Sequence, residues 1–177
     1  ATYEPLKQGK AAYDIVREMN EYPKDPQTVF SYFLNVFPDR IAITQRGLKS
    51  LKECNTAPGI LWDVLYSMVT KLYDCIGKTN VFSEACSLYS EQTIYECVPG
   101  NTSMTKKDKS IQKEYEDVYD DCLINIEPHI KSNTGKESDK RFFRIYFSNY
   151  IDKMGNRLIV IGYCGKHLTT SGTMHRK

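Results

Sequence analysis

Apolar residues recur every three to four positions through the first half of this chain and every two positions through much of the second. Over 5–21, Ala12, Ile15, Val16 and Met19 share a helical spacing. Over 26–37, Val29, Phe30, Phe33, Leu34 and Phe37 make a wide stripe, with Asp25 placed to cap and Pro26 suited to the first helical position. The strongest helical signal is "APGILWDVLYSMVTKLYDCIG", residues 57–77. Ile60, Leu61, Val64, Leu65, Met68, Val69, Leu72 and Ile76 hold one face, and Gly77 is a natural stop. Residues 78–101 are short and mixed, a broken helix ending in the turn "VPGN". "MTKKDKSIQKEYEDVYDD", 104–121, reads as a charged, exposed helix that starts at the capping-box-like pair Thr105 and Asp108.

The period then shortens. "CLINIEPHIK", 122–131, sets Ile124, Ile126 and Ile130 against Asn125, Glu127, His129 and Lys131, with Pro128 marking an edge strand or a strand end. After the polar loop "SNTGKESDK", a second strand alternates Phe143, Ile145 and Phe147 with Arg144, Tyr146 and Ser148. Gly155 and Asn156 carry hairpin-turn chemistry, and "LIVIGYC", 158–164, is apolar on both faces as a central strand is. The expected class is α+β: a helical region over 1–121, then a β-rich region over 122–177 forming a small, mostly antiparallel sheet, the two packed as one unit.

Charge adds a second division. The net charge is only +2, yet residues 131–177 carry ten Lys/Arg against three Asp/Glu, while 1–130 carry fourteen against nineteen. A basic tail on an acidic body fits a polyanion such as nucleic acid, an acidic protein surface, or a merely solvated rim. No apolar run approaches the ~20 residues that span a bilayer, and no signal-peptide pattern opens the chain, so a cytoplasmic protein with no membrane contact is expected. Ala1 has no initiator Met before it, which reads as a processed form or a fragment whose N-terminal part lies elsewhere in the same protein. The six cysteines form no C-x-x-C and no zinc-type Cys/His spacing; several occupy apolar positions. Free, buried thiols are expected, with no disulfide, metal or cofactor.

The strand alternation gathers one set of chemistry-bearing residues. His129, Lys131, Arg144 and Tyr146 fall on polar strand positions, and Lys166 and His167 follow the apolar strand behind Gly162 and Gly165, which let a backbone or ligand approach closely. Arginine offers a bidentate fork, lysine a point charge and histidine a proton near neutral pH. Lys131, Arg144, Lys166, Gly162 and Gly165 are therefore candidates for binding a phosphate-bearing ligand, and His129, His167 and Tyr146 for proton transfer. Each has a plainer reading beside it: His129 as a strand-end cap, His167 as a turn residue bonded to backbone, Arg144 as half of a cross-strand ion pair, Tyr146 as a half-buried aromatic.

"FFRIYFSNYIDKMGNRLIVIGYCGKH" resembles the last hairpin of the RelE/HigB-type toxins, where an R-I-x-Y/F strand, a turn and an apolar strand precede basic residues. Together with "INIEPHIK", it is also similar to C-terminal regions of uncharacterised bacterial proteins, some linked to phage defence. The toxin resemblance implies a small sheet that binds RNA and cleaves it without metal, with Arg144, Tyr146, Lys166 and His167 in the matching places. The leading expectation is thus a nucleic-acid-acting domain, RNA favoured, in a toxin or antiviral-defence setting. A non-catalytic module for a nucleotide or a small phosphorylated ligand, and a protein-interaction domain, stand as alternatives, and whether the chain is an enzyme stays open.

Overall fold

A computed structural model of the chain describes residues 23–100 and 108–170. The helix expected over 5–21 and the Thr105 cap lie outside the described residues. Helix α1, Pro26–Val36, begins as the sequence implies: the Asp25 carboxylate accepts the Thr28 N–H at 2.8 Å and Pro26 opens the first turn. Strand β1 (Ile41–Ile43) leads into α2 (Gln45–Ser50), capped by the Thr44 hydroxyl, which accepts the Gly47 N–H. The long apolar stripe forms α3 (Pro58–Ser67), a π-helical turn (Met68–Leu72) and α4 (Tyr73–Lys78). Gly77 does not end this run. It lies inside α4, where a Cβ would stand 3.0 Å from the Arg157 guanidinium.

Residues 78–100 hold more order than their mixed pattern implies: helix α5 (Phe82–Gln92) and strand β2 (Glu96–Val98), with the last residue of the expected turn, Asn101, outside the described residues. The charged segment after them is a larger departure. Among its described residues Lys109–Glu114 is helical (α6), capped by Asp108, and the chain then extends as β3 (Glu116–Tyr119). Asp120 and Asp121 at φ 49° and 57° close a two-residue turn into β4 (Cys122–Asn125), and Val118 faces Leu123 across the hairpin. The run of acids hides that pairing from a periodicity reading. "CLINIEPHIK" is likewise two strands, with Pro128 at the break: β4 stays in the hairpin and β5 (His129–Lys131) enters the main sheet.

The main sheet is completed by β6 (Arg144–Ile151) and β7 (Arg157–Gly165), in the order β1-β7-β6-β5-β2. β1 runs parallel to β7, and the other three pairings are antiparallel. The architecture is mixed, with the strands concentrated in the C-terminal half, although both edge strands come from the helical region. One face packs Ile130, Phe143, Ile145, Phe147, Ile159 and Ile161 against the helices. The other packs Tyr146 and Val160 against Tyr115, Ile124, Ile126 and Leu168, so the small hairpin and α6 cover it. That two-sided burial explains why β7 is apolar on both faces.

Candidate functional site

Register brings the sequence-selected residues together. His129 pairs with Tyr146 and Lys131 with Arg144 across β5–β6, and Arg144 in turn faces Gly165 of β7. Since residues two apart share a face, His129, Lys131, Arg144 and Tyr146 lie on the hairpin side of the sheet. The chain leaving β7 carries Lys166 and His167, both exposed, back over the same residues.

Arg144 is the centre. It is only 5% exposed. One guanidinium nitrogen donates to the Phe143 carbonyl at 2.8 Å and the other lies 3.3 Å from His167 Nε2. The Phe142 ring supports the guanidinium at 4.5 Å, a cation–π contact, and stands edge-on to His167. The remaining Nε–H is buried with no hydrogen-bond partner, and no carboxylate among the described residues forms an ion pair with Arg144. A buried cation left in this condition costs free energy, on the order of 1–3 kcal/mol for the unmade hydrogen bond alone.

The hydrogen-bond partners of His129 and His167 favour a neutral tautomer for each. Arginine can only donate, so His167 Nε2 accepts and its proton sits on Nδ1. Burial, and then the Arg144 charge, hold the His167 pKa below its ordinary value. His129 Nδ1 is 2.9 Å from the Glu127 carbonyl, which can only accept, so Nδ1 carries the proton and Nε2 is left as an acceptor. Its ring lies over Tyr146 with centroids 4.8 Å apart. Burial, reinforced by the charges of Arg144 and Lys131, lowers its pKa to about 4. Tyr146 is buried rather than half-buried. Its phenol, pushed up to about 12 by burial, accepts the Leu168 N–H at 3.1 Å and so pins the segment that carries His167.

Other selected residues have different work. The Lys131 ammonium is paired with Glu96 at 2.9 Å, which reduces its call on a ligand. Gly162 is a β-bulge: Tyr146 faces Tyr163 and Phe147 faces Ile161, leaving Gly162 without a partner in β6. A Cβ there would stand 2.7 Å from Ile126 and 2.9 Å from Asp117, so the close approach is by the hairpin, not by a ligand. Gly165 has φ +150°, and a Cβ would meet only Tyr163 at ordinary contact distance; backbone conformation accounts for this glycine.

Residues that alternation did not single out complete the surroundings. Phe142 forms the platform, and the Glu137 carboxylate accepts the His167 N–H at 3.2 Å. The Glu114 carboxylate accepts the Thr169 N–H, while Glu127 bonds Asn125. Phe142 was findable as the aromatic preceding the strand arginine by two; the glutamates come from distant segments. Two neighbouring concavities of about 430 and 570 Å³ share Ile94 and Tyr95 beyond β2, and none of the sequence-selected residues lines them. No group of His, Cys, Asp and Glu suited to a metal occurs among the described residues.

No family model, curated protein or solved structure matches this chain.

Proposed function

We propose that this chain is a non-catalytic binding module for a ligand bearing a terminal phosphate group, recognised by Arg144 with His167 and Lys166. The observation that carries this reading is the buried Arg144 guanidinium, without a carboxylate partner and with an unbonded Nε–H. A doubly charged phosphate supplies an acceptor and a direct ion-pair partner, which Glu96 and Glu137, acting on Arg144 from beyond ion-pair distance, do not. His167 and Lys166 are exposed residues on the chain leaving β7, and the His167 ring lies directly beside the Arg144 guanidinium.

A small ligand fits better than a continuous nucleic-acid strand. Glu96, Glu114, Glu127 and Glu137 surround the group, and a phosphodiester chain passing over it would meet them. Cleavage of RNA needs a proton donor near neutral pH, whereas both rings here are neutral and held below their ordinary pKa. RNA cleavage, the activity implied by the toxin resemblance, is therefore the rival outcome in the test.

Calorimetric titration with a nucleoside 5′-monophosphate, inorganic phosphate and an unphosphorylated oligoribonucleotide separates these readings. Saturable one-site binding of the first two is expected. Lys166→Ala, at an exposed position, is expected to weaken it several-fold, and Arg144→Met at least tenfold, about 1.4 kcal/mol. Because Arg144 is buried without an ion-pair partner, Arg144→Met is expected to leave unfolding stability within about 1 kcal/mol of the parent. Oligoribonucleotide binding with a steep salt dependence, or turnover of RNA, would overturn the proposal.

A further inference from the structure

Four of the six thiols stand in two close pairs, and the pairs differ in access. Cys86 and Cys97 have their sulfurs 3.0 Å apart, but both are buried, at 1% and 6% exposed. Cys54 and Cys164 are 3.9 Å apart, and here the access is one-sided. Cys164 is wholly buried in β7, while Cys54 is partly exposed on the irregular loop between α2 and α3.

We propose that Cys54 and Cys164 form a reversible peroxide-oxidation site, with Cys54 the attacking and Cys164 the resolving thiol. The division of labour follows from placement. A peroxide reaches Cys54 from solvent, and Cys164 then approaches the oxidised sulfur from the protein side, where water is excluded. Joining the sulfurs at the ~2.05 Å of a disulfide needs a shift of roughly 2 Å. The Cys54 loop, outside any helix or strand, can make that shift while β7 stays fixed between β1 and β6. The Cys164 thiol beside its sulfur, and then the Thr56 backbone N–H, also hold Cys54 below the ordinary thiol pKa, against the opposing effect of burial.

The chemistry balances without a metal. The Cys54 thiolate attacks one oxygen of a hydroperoxide, the O–O bond breaks, and the departing alkoxide or hydroxide takes up the proton that the thiol released. The resulting Cys54 sulfenic acid is attacked by the Cys164 sulfur. The S–O bond breaks, and hydroxide leaves with the Cys164 proton as water. Two thiols are oxidised to one disulfide and one peroxide is reduced. Two equivalents of a low-molecular-weight thiol return both cysteines to thiols by exchange through a mixed disulfide, and are themselves oxidised to a disulfide. The same loop is tied to the segment before β6, Thr56 donating to the Phe142 carbonyl and Ala57 N–H to the Lys140 carbonyl, so the oxidation site adjoins the Arg144 platform.

The test uses the reduced full chain and hydrogen peroxide at one to a few equivalents, followed by alkylation and mapping of cross-linked peptides. No phosphate ligand enters it, so its outcome is independent of the function proposed above. A Cys54–Cys164 cross-link that dithiothreitol removes is expected. Cys54→Ser is expected to abolish the cross-link and leave Cys164 as a free thiol. Cys164→Ala is expected to leave a sulfenic acid at Cys54 that dimedone traps. Cys164 lies inside the core whereas Cys54 packs at its edge, so the near-isosteric Cys54→Ser arm is the less disruptive of the two. Six free thiols after treatment, a cross-link confined to Cys86 and Cys97, or Cys54 driven to sulfinic acid in the parent would each overturn the assignment.

Discussion

Arg144 and His129 are neighbours whose surroundings press in the same direction. Each is placed where its charged form is poorly solvated, and the positive charge of one disfavours protonation of the other. For His129 this has a consequence for stability. Its folded pKa of about 4 lies below the ordinary 6.5, so between those values the unfolded chain binds a proton that the folded chain refuses. Stability is therefore whole above about pH 6.5 and is lost as pH falls toward 4, by on the order of 2–3 kcal/mol from this residue. His129→Gln keeps a polar side chain without the titration. Urea unfolding at pH 7.5 and 4.5 should show a smaller loss in the variant, and an equal loss would assign the pH dependence to other groups.

At the scale of elements, the contact between the hairpin and the sheet depends on the bulge at Gly162. Ile126 and Asp117 approach a backbone with no Cβ, and Asp117 also accepts a hydrogen bond from Thr44 at 2.7 Å, the residue that caps α2. Gly162→Ala is expected to cost about 1–3 kcal/mol, because the intruding methyl must displace a buried isoleucine. Denaturant unfolding measures this. In an Ile126→Ala background the same substitution should cost less, since the nearer obstacle is gone and only the Asp117 carboxylate remains in the way. The elements also mark what the sequence made legible. β6 and β7 announce themselves through Phe143, Ile145 and Phe147 and through the doubly apolar "LIVI", because both faces of the sheet are buried. β1 and β2, at three residues each, are too short to establish a period. The hairpin escapes because its positions 116, 117, 120 and 121 are acids, which suit a solvated helix as readily as an exposed ribbon. For the site, alternation correctly joined His129, Lys131, Arg144 and Tyr146. It carried no information on the Lys131–Glu96 pair, 35 positions apart, or on which neighbour fills the space at Gly162.

Across the molecule, the Arg144 group and the Cys54–Cys164 pair both lie where β7 ends, on opposite faces of the sheet: Arg144 with Tyr146 under the hairpin, Cys164 with Ile145 in the helical core. The basic balance of 131–177 does not make a uniform basic surface there, since Glu96, Glu114, Glu127 and Glu137 are interleaved with it. No helix among the described residues is long and apolar enough to cross a membrane. The function proposed above rests on one buried positive charge, Arg144, flanked by residues of β5, β6 and the chain leaving β7, as the place where a single phosphate group would bind. An anion seated beside Arg144 must favour the protonated form of His167, because it replaces a neighbouring positive charge with a net negative one. The most direct measurement is an NMR pH titration of the His167 ring in the absence and presence of saturating inorganic phosphate, with chloride holding ionic strength constant. The predicted result is a pKa below 6.5 in the free protein that rises when phosphate is present and does not respond to chloride. A His167 pKa that is the same in both conditions, or that lies at or above 6.5 before phosphate is added, would contradict the account.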